Sequence, residues 1–492
     1  AYGYDECDVS GGSNFSDRGR YAFNKMEDAN GNPISTNWNK MIFKNGFIHN
    51  HTVAIQGGTD KTTYYASANY ASQDGIVFGD SYKRVGVKSS VSSQITKWLQ
   101  VGINAQYSHG ATTSKDASRV DGVFSSAGLP RQAMILPPVL PAYNEDGSYY
   151  TTSDGQYIGT GKIRISTLGY PNPMGSKENF NNQNSDRIIA SGFVAITPVE
   201  GLTLRSQYGA DFMRADEETF WDPLYGQGAN YPGYAYRSYS NNLDWTWTNT
   251  INYNLHLGDN SFDFLVGMEA FESKYEYDGI DGSVILNDLY DGFKAGYSEY
   301  AAGGARGDKS LVSYFGRINY DYKSKYMVSA NFRRDGLSSL GAQKKWGNFW
   351  GVSGAWRISE EDFFEPVRNV IDDLKLKASY GVVGNSDIGY YPAQSYYGDA
   401  LYGGSAALAL SNIGDEALAW EQSNKFDVGL VIDFINRINV GVDYYNTDSK
   451  NLVLAVPQGP STGIGSLITN AGSLRNRGVE ITIAADVFRR RN

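Results

Sequence analysis

The feature that most restricts this chain is a two-residue alternation of apolar and polar side chains, recurring in segments of roughly ten residues, the length at which a tilted strand crosses a bilayer. In Leu99–Ser108, the residues Leu99, Val101, Ile103, Ala105 and Tyr107 share one face, and Gln100, Gly102, Asn104, Gln106 and Ser108 share the other. Leu202–Phe212 sets Leu202, Leu204, Tyr208, Ala210 and Phe212 against Thr203, Arg205, Gln207 and Asp211, and Leu243–Leu255 sets Trp245, Trp247, Ile251 and Tyr253 against Asp244, Thr246, Thr248, Asn252 and Asn254. About fifteen such segments begin near residues 51, 62, 84, 99, 187, 202, 243, 261, 311, 325, 348, 374, 424, 438 and 477. A β-sandwich also alternates, but its inward faces are rich in Leu, Val and Ile throughout. Here aromatic residues recur towards strand ends, as with Tyr64 and Tyr70, Tyr320 and Tyr322, Tyr326 and Phe332, and Trp350 and Trp356. That placement suits the interfacial girdles of an antiparallel transmembrane β-barrel, with apolar faces outward and polar faces towards a wet lumen.

Connection lengths support this reading because they alternate short and long. Gly57–Thr62, Ser93–Trp98, Thr197–Gly201, His256–Asn260, Asp321–Ser324 and Ile435–Arg437 are tight. Ser72–Lys83, His109–Asp186, Met213–Asn242, Phe271–Ser310, Val383–Gln422 and Thr447–Arg475 are longer. Short periplasmic turns and long extracellular loops are the outer-membrane pattern. The exception is Ser359–Asp373, a Glu-rich stretch on the short side that can form a helical turn.

Composition removes other classes. No apolar run approaches the ~18 to 20 residues of a membrane-spanning helix, and the mean hydropathy is -0.42. The net charge is -10, and Lys and Arg are scattered rather than clustered, so nucleic acid is excluded as a partner. The single cysteine, Cys7, allows neither an internal disulfide nor a thiolate metal cluster. No signal peptide is visible after Ala1.

From Asn37 onward a series of motifs runs along the chain: Asn37-Trp38-Asn39, then His51 to Gly58, and Lys61 to Ser67 through Gln73-Asp74-Gly75-Ile76, followed by Tyr314 to Tyr320, Arg334-Asp335-Gly336, Trp356 to Glu360, Ser379 to Asn385, Trp420-Glu421, Asn470-Ala471-Gly472 and Asn476 to Glu480. In these motifs and their order the chain resembles the SusC/RagA family of TonB-dependent transporters, and the first of them are similar to that family's early barrel. Leu337 before Ser338 and Ser339, and Trp350 in place of a common proline, depart from the pattern locally. The expected organisation is a loop or short-helical segment over 1–37 and a partial barrel over 38–492, with about fifteen of an expected 22 strands. The family's plug and final strands are expected to lie outside the chain. The resemblance implies the outer membrane of a Gram-negative, Bacteroidetes-like cell. It also implies TonB-dependent import of oligomeric nutrients, glycans or peptides, with a SusD-like surface lipoprotein and TonB, reached through the plug, as partners.

Sequence signatures of catalysis or metal binding give way to plainer readings. Gly459-Pro460-Ser461-Thr462-Gly463 fits G-x-S-x-G but sits in a long loop rather than between a strand and a helix. His49 and His51 lack further ligands, Asp28 to Asn32 fits a turn better than a calcium loop, and Glu145-Asp146-Gly147 reads as a hairpin turn. No cofactor, metal site or enzyme activity is expected. Arg84, Lys88, Arg205, Asp211, Arg317, Asp321, Lys375, Lys377, Asp427 and Glu480 form a mixed-sign lumen ladder, assigned first to structure. The candidate ligand or partner residues are loop aromatics: Trp221, Tyr225, Tyr231, Tyr234 and Tyr236, with Tyr239, in one loop, and Tyr390, Tyr391, Tyr396 and Tyr397, with Tyr402, in another. They either stack on ligand or hold loops together. The alternative to import is a β-rich surface adhesin or glycan-binding protein without transport.

Overall fold

A computed structural model describes residues 3–4, 23–24, 30–115, 128–160, 163–164, 170–287, 291–385, 387–435 and 437–486. Among these residues fifteen strands form one sheet. They are β1 (Ile48–Gly58), β2 (Thr62–Asp74), β3 (Ser81–Thr96), β4 (Leu99–Ser114), β5 (Phe180–Val199), β6 (Leu202–Trp221), β7 (Tyr234–Leu257) and β8 (Asn260–Ile285). The series continues with β9 (Tyr297–Tyr322), β10 (Tyr326–Leu337), β11 (Trp346–Arg357), β12 (Ile371–Asn385), β13 (Glu421–Phe434), β14 (Ile438–Lys450) and β15 (Ser473–Ala485). Each strand pairs antiparallel with its sequence neighbour within this set, and β1 and β15 are the two edges. This is an up-and-down topology built only from hairpins, as alternation and alternating connection lengths require.

The register fixes the faces, because directly opposed residues of paired strands point the same way. Leu204 opposes Ile196 and Ile251, Tyr107 opposes Ile188, and Tyr326 opposes Trp356. These fall on one apolar face, where Val53, Ile103, Trp247, Val266, Ile318, Val352 and Ile481 are exposed rather than packed into a core. Followed from pair to pair, all ten members of the charged ladder fall on the opposite, polar face. Three of them pair across strands with neighbours of opposite charge on the same face: Asp211 with Arg187, Arg317 with Asp263 at 3.3 Å, and Lys377 with Asp443 at 2.7 Å. The aromatic residues expected at the rims also lie on the apolar face, where Trp350 meets Tyr380 at 5.6 Å and Tyr322 meets Tyr326 at 6.2 Å.

The short turns are tight. Gly258, at φ +59°, supplies the left-handed conformation that a two-residue hairpin needs. In the β9–β10 turn Lys323 and Ser324 take φ +53° and +54° without glycine, and Ser324 is held by its N–H donating to Asp321 Oδ1 at 2.9 Å. The Glu-rich exception folds as two 3₁₀ turns, Ile358–Glu360 and Asp362–Val367.

Among the described residues the buried hydrophobic clusters lie at the long-connection end, in the loops and the strand ends they pack against. Helix α1 (Trp38–Ile42) packs with helix α2 (Leu129–Ile135) in a cluster that includes Val77, Leu140, Ile158 and Met174. The N-cap of α1 is Asn37, whose side chain accepts from the Lys40 N–H at 3.0 Å. A second cluster joins Leu337, Leu340, Phe349, Leu418 and Trp420, which accounts for the leucine found before Ser338. Gly459–Gly463 lies in the loop of the Val453–Pro457/Ser466–Asn470 hairpin, and Glu145–Gly147 forms a turn closed by the Asn144 N–H donating to Ser148 O at 2.8 Å. Cys7 and Asp28 lie outside the described residues.

Candidate functional site

Five adjacent strands, β5 to β9, run on well past the apolar belt at the long-connection end. This corrects the loop boundaries expected from sequence. Most of Met213–Asn242 is β6 and β7, with the connection confined to 222–233, and most of Phe271–Ser310 is β8 and β9, joined across 286–296. Above the belt neither face meets lipid, so strict alternation is no longer enforced while the backbone ladder continues.

The expected aromatic residues therefore divide. Trp221 closes β6 and Tyr234 opens β7, directly opposed in register and on the polar face, and their rings lie 4.6 Å apart with Tyr231 at 6.1 Å from Trp221. Trp221 is 5% exposed and Tyr231 48%, so the first is packed and the second is available. Tyr236, strand-borne on the same face, shares a hydrogen bond with Tyr277 of β8. Tyr225 packs edge-on against Tyr149 at 4.7 Å, tying 222–233 to the long connection after β4. The same seam carries the Asp222 N–H donating to Asn179 Oδ1 at 2.9 Å and the Gly226 N–H donating to Gly155 O at 3.0 Å. Burial, together with its O–H donating to Glu178, raises the Tyr149 phenol well above its usual range.

The second expected cluster reaches across to the same wall. Tyr390 stacks on Tyr275 of β8 at 6.3 Å, with the Lys309 ammonium 5.7 Å from its ring, in space left by Gly307. Tyr391 donates its O–H to the Asp308 carboxylate, which raises the phenol, and accepts the Asp308 N–H at 2.9 Å. Tyr396 and Tyr397, 49% and 67% exposed, sit instead on a separate hairpin, Tyr396–Tyr402/Ser405–Asn412. Tyr239 is on β7 facing the apolar side, between the guanidinium groups of Arg214 and Arg237 at 5.6 and 5.5 Å.

The structure thus gathers Trp221, Tyr231, Tyr234, Tyr236 and Tyr390 along the polar side of a tall strand wall, and leaves Tyr396 and Tyr397 apart. Sequence reasoning missed Tyr275 and Tyr277. Their two-residue spacing on one face was the available signal, hidden by the assignment of that stretch to a loop. Chemically the wall offers ring faces and phenol hydroxyls beside a face of paired charges, groups suited to apolar and hydrogen-bonding contacts. His49 and His51 lie on edge strand β1 with rings 5.2 Å apart, on the apolar face beside Tyr70.

Comparison with known proteins agrees with the architecture. A family described as TonB dependent receptor-like, beta-barrel, matches residues 143–491. TonB-dependent receptor P3 of Formosa agariphila is 29% identical over 465 residues, 92% of this chain and 45% of that protein. TonB-dependent receptor SusC of Bacteroides thetaiotaomicron is 29% identical over 489 residues, 92% of this chain and 46% of that one. The chain spans less than half the length of these relatives. Among solved structures, the RagAB peptide transporter superposes with a TM-score of 0.79 at 25% identity, covering 93% of this chain and 50% of that chain. The Acinetobacter baumannii siderophore receptor PiuA superposes at 0.51 with 12% identity, covering 90% of this chain and 62% of that one.

Proposed function

This chain belongs to the TonB-dependent receptor-like β-barrel family, an outer-membrane family of receptors rather than enzymes, and from that premise we propose that it forms the capture-side wall of an importer for oligomeric nutrients, glycans or peptides. The observation that carries the reading is the row of rings on the polar side of β6 to β9, above the apolar belt. There a ligand arriving from the long-loop side meets Tyr231 and its neighbours before the charged ladder. Rings combine apolar area with a polar tip and so hold sugar faces or peptide side chains alike. A SusD-like lipoprotein would cover this rim, with the exposed Tyr396–Tyr402/Ser405–Asn412 hairpin as a contact, and TonB would act through a plug seated against the ladder.

The test is uptake by cells that rely on the intact receptor, supplied with defined oligosaccharides or peptides as the only nutrient. Growth that depends on the receptor and on TonB supports import. Ligand binding without TonB-dependent growth would replace import by the adhesin-like reading. Co-purification of a surface lipoprotein, lost on deleting 396–412, tests the partner.

A further inference from the structure

We propose that the upper edge of β9, from Tyr300 to Arg306, is a strand-addition site that takes an extended peptide. β9 is paired with β8 along nearly its whole length, but on its other side β10 ends at Leu337, opposite Leu311. Beyond that point side chains from the loops take over. The Ser310 N–H donates to Ser338 Oγ at 2.9 Å, its carbonyl accepts the Ser338 N–H at 2.9 Å, and the Asp308 N–H donates to Tyr391 Oη at 2.9 Å. Alternate residues of a strand aim both N–H and C=O to the same side. Tyr300, Ala302, Gly304 and Arg306 therefore aim theirs away from β8, in phase with Asp308 and Ser310. No strand pairs with this stretch on that side, no other backbone bond reaches it among the described residues, and 300–306 are exposed throughout.

Such an edge is normally blunted by proline, charge or a bulge. Here Ala301, Ala302, Gly303, Gly304 and Ala305 present almost no side chain, and the one charge within Tyr300–Arg306, that of Arg306, is paired with Glu276 at 2.5 Å. Donor and acceptor pairs recurring every second residue, about 6.6 Å apart, match an extended polypeptide and no sugar chain. At the foot of the edge a hollow of about 470 Å³, lined in part by Lys274, Glu276, Arg306 and Tyr391, offers room for a peptide side chain. Both signs of charge line it, so it favours no single charge type.

The proposal rests on the reading that ligands are captured at the long-loop end, and the experiment separates the two. The intact receptor in detergent is titrated, by fluorescence anisotropy, with a labelled decapeptide of alternating valine and threonine and with the same peptide N-methylated at alternate residues. Ala302→Pro removes an N–H that faces away from β8, Ala302→Ser is its conservative control, and Tyr231→Ala tests the ring wall. The expected result is binding that weakens about tenfold or more on N-methylation and in Ala302→Pro, and is unchanged in Ala302→Ser. Because the N-methylated peptide is tested on the unaltered receptor, misfolding of a variant cannot imitate that loss. Binding that survives N-methylation and Ala302→Pro but fails in Tyr231→Ala overturns the edge site and leaves the ring wall standing. Peptide affinity unmoved by any change overturns both. Self-association lost in Ala302→Pro, with peptide binding unaffected, assigns the edge to a second copy and also overturns the proposal.

Discussion

At the scale of single residues, burial separates the two meanings an aromatic loop residue can carry. Trp221 is packed among Tyr231 and Tyr234, so Trp221→Ala is expected to cost about 3 kcal/mol locally. Amide exchange should show it as opening of 222–233. Tyr231, half exposed on the same cluster, has little to lose in folding, so Tyr231→Ala should leave exchange unchanged and weaken ligand capture. Equal effects of both substitutions on exchange would contradict this division. Glu361 offers a pH test on the short-turn side. It accepts from the Lys325 ammonium at 2.5 Å, the Tyr326 O–H at 2.5 Å and the Trp356 indole N–H at 3.0 Å, and these donors, Lys325 first, hold its carboxyl below the ordinary 4.5. A depressed carboxylate contributes stability that is fully present above its unfolded value and is lost as pH falls through the folded one. Amide exchange of 358–370, corrected for its intrinsic rate, should therefore quicken below about pH 4, and less steeply in Glu361→Gln, in which the Asp373 carboxylate still holds Arg357 and Ser359. An unchanged profile in that variant would rule the contact out as the cause.

At the scale of elements, where the alternation reading was accurate and where it slipped have one cause. Strands that follow short turns start at Thr62, Leu99, Leu202, Asn260, Tyr326 and Ile438, within one residue of the positions read from alternation. Strands that follow long connections start earlier than expected, β7 at Tyr234 rather than 243 and β9 at Tyr297 rather than 311. On the turn side lipid and lumen begin at once and impose opposite polarity on successive residues. On the long side the ladder rises into water, and hydrogen bonding alone keeps the strand. The face assignment itself is testable by exchange of neighbours. Ile103→Arg, in the middle of the exposed apolar face of β4, should destabilise the inserted barrel by about 2 to 4 kcal/mol. Asn104→Arg, one residue on and facing the polar side, should cost well under half of that in the same denaturant titration.

For the whole molecule, the fifteen-stranded sheet ends at β1 and β15, and lipid cannot satisfy the backbone groups of an open edge. Refolded alone into detergent, these strands should migrate alike with and without heating. The intact receptor should shift on heating as a closed barrel unfolds. A heat-dependent shift of the fifteen-stranded piece by itself would show that its edges find partners within it. The packed clusters at the long-loop end, around Trp38 and Ile42 and around Leu418 and Trp420, then act as fixed scaffolding for the rim rather than as the core of the fold.

What the sequence determined by itself was the wall: the strand number, the hairpin order, the face of each charged residue in the ladder and the side on which connections are long. Those follow from short-range rules, a two-residue period read against two solvents and turns too short to permit any other pairing. Only the tertiary structure decided how high each strand rises, which rings of the rim are packed and which are free, and that β10 stops at Leu337 and leaves β9 with an open edge. These depend on where one strand ends relative to its neighbour and on loops distant in sequence, such as Tyr149 on Tyr225 and Tyr390 on Tyr275, meeting across the rim. No local pattern records them, because in water above the membrane no second solvent forces successive side chains to differ.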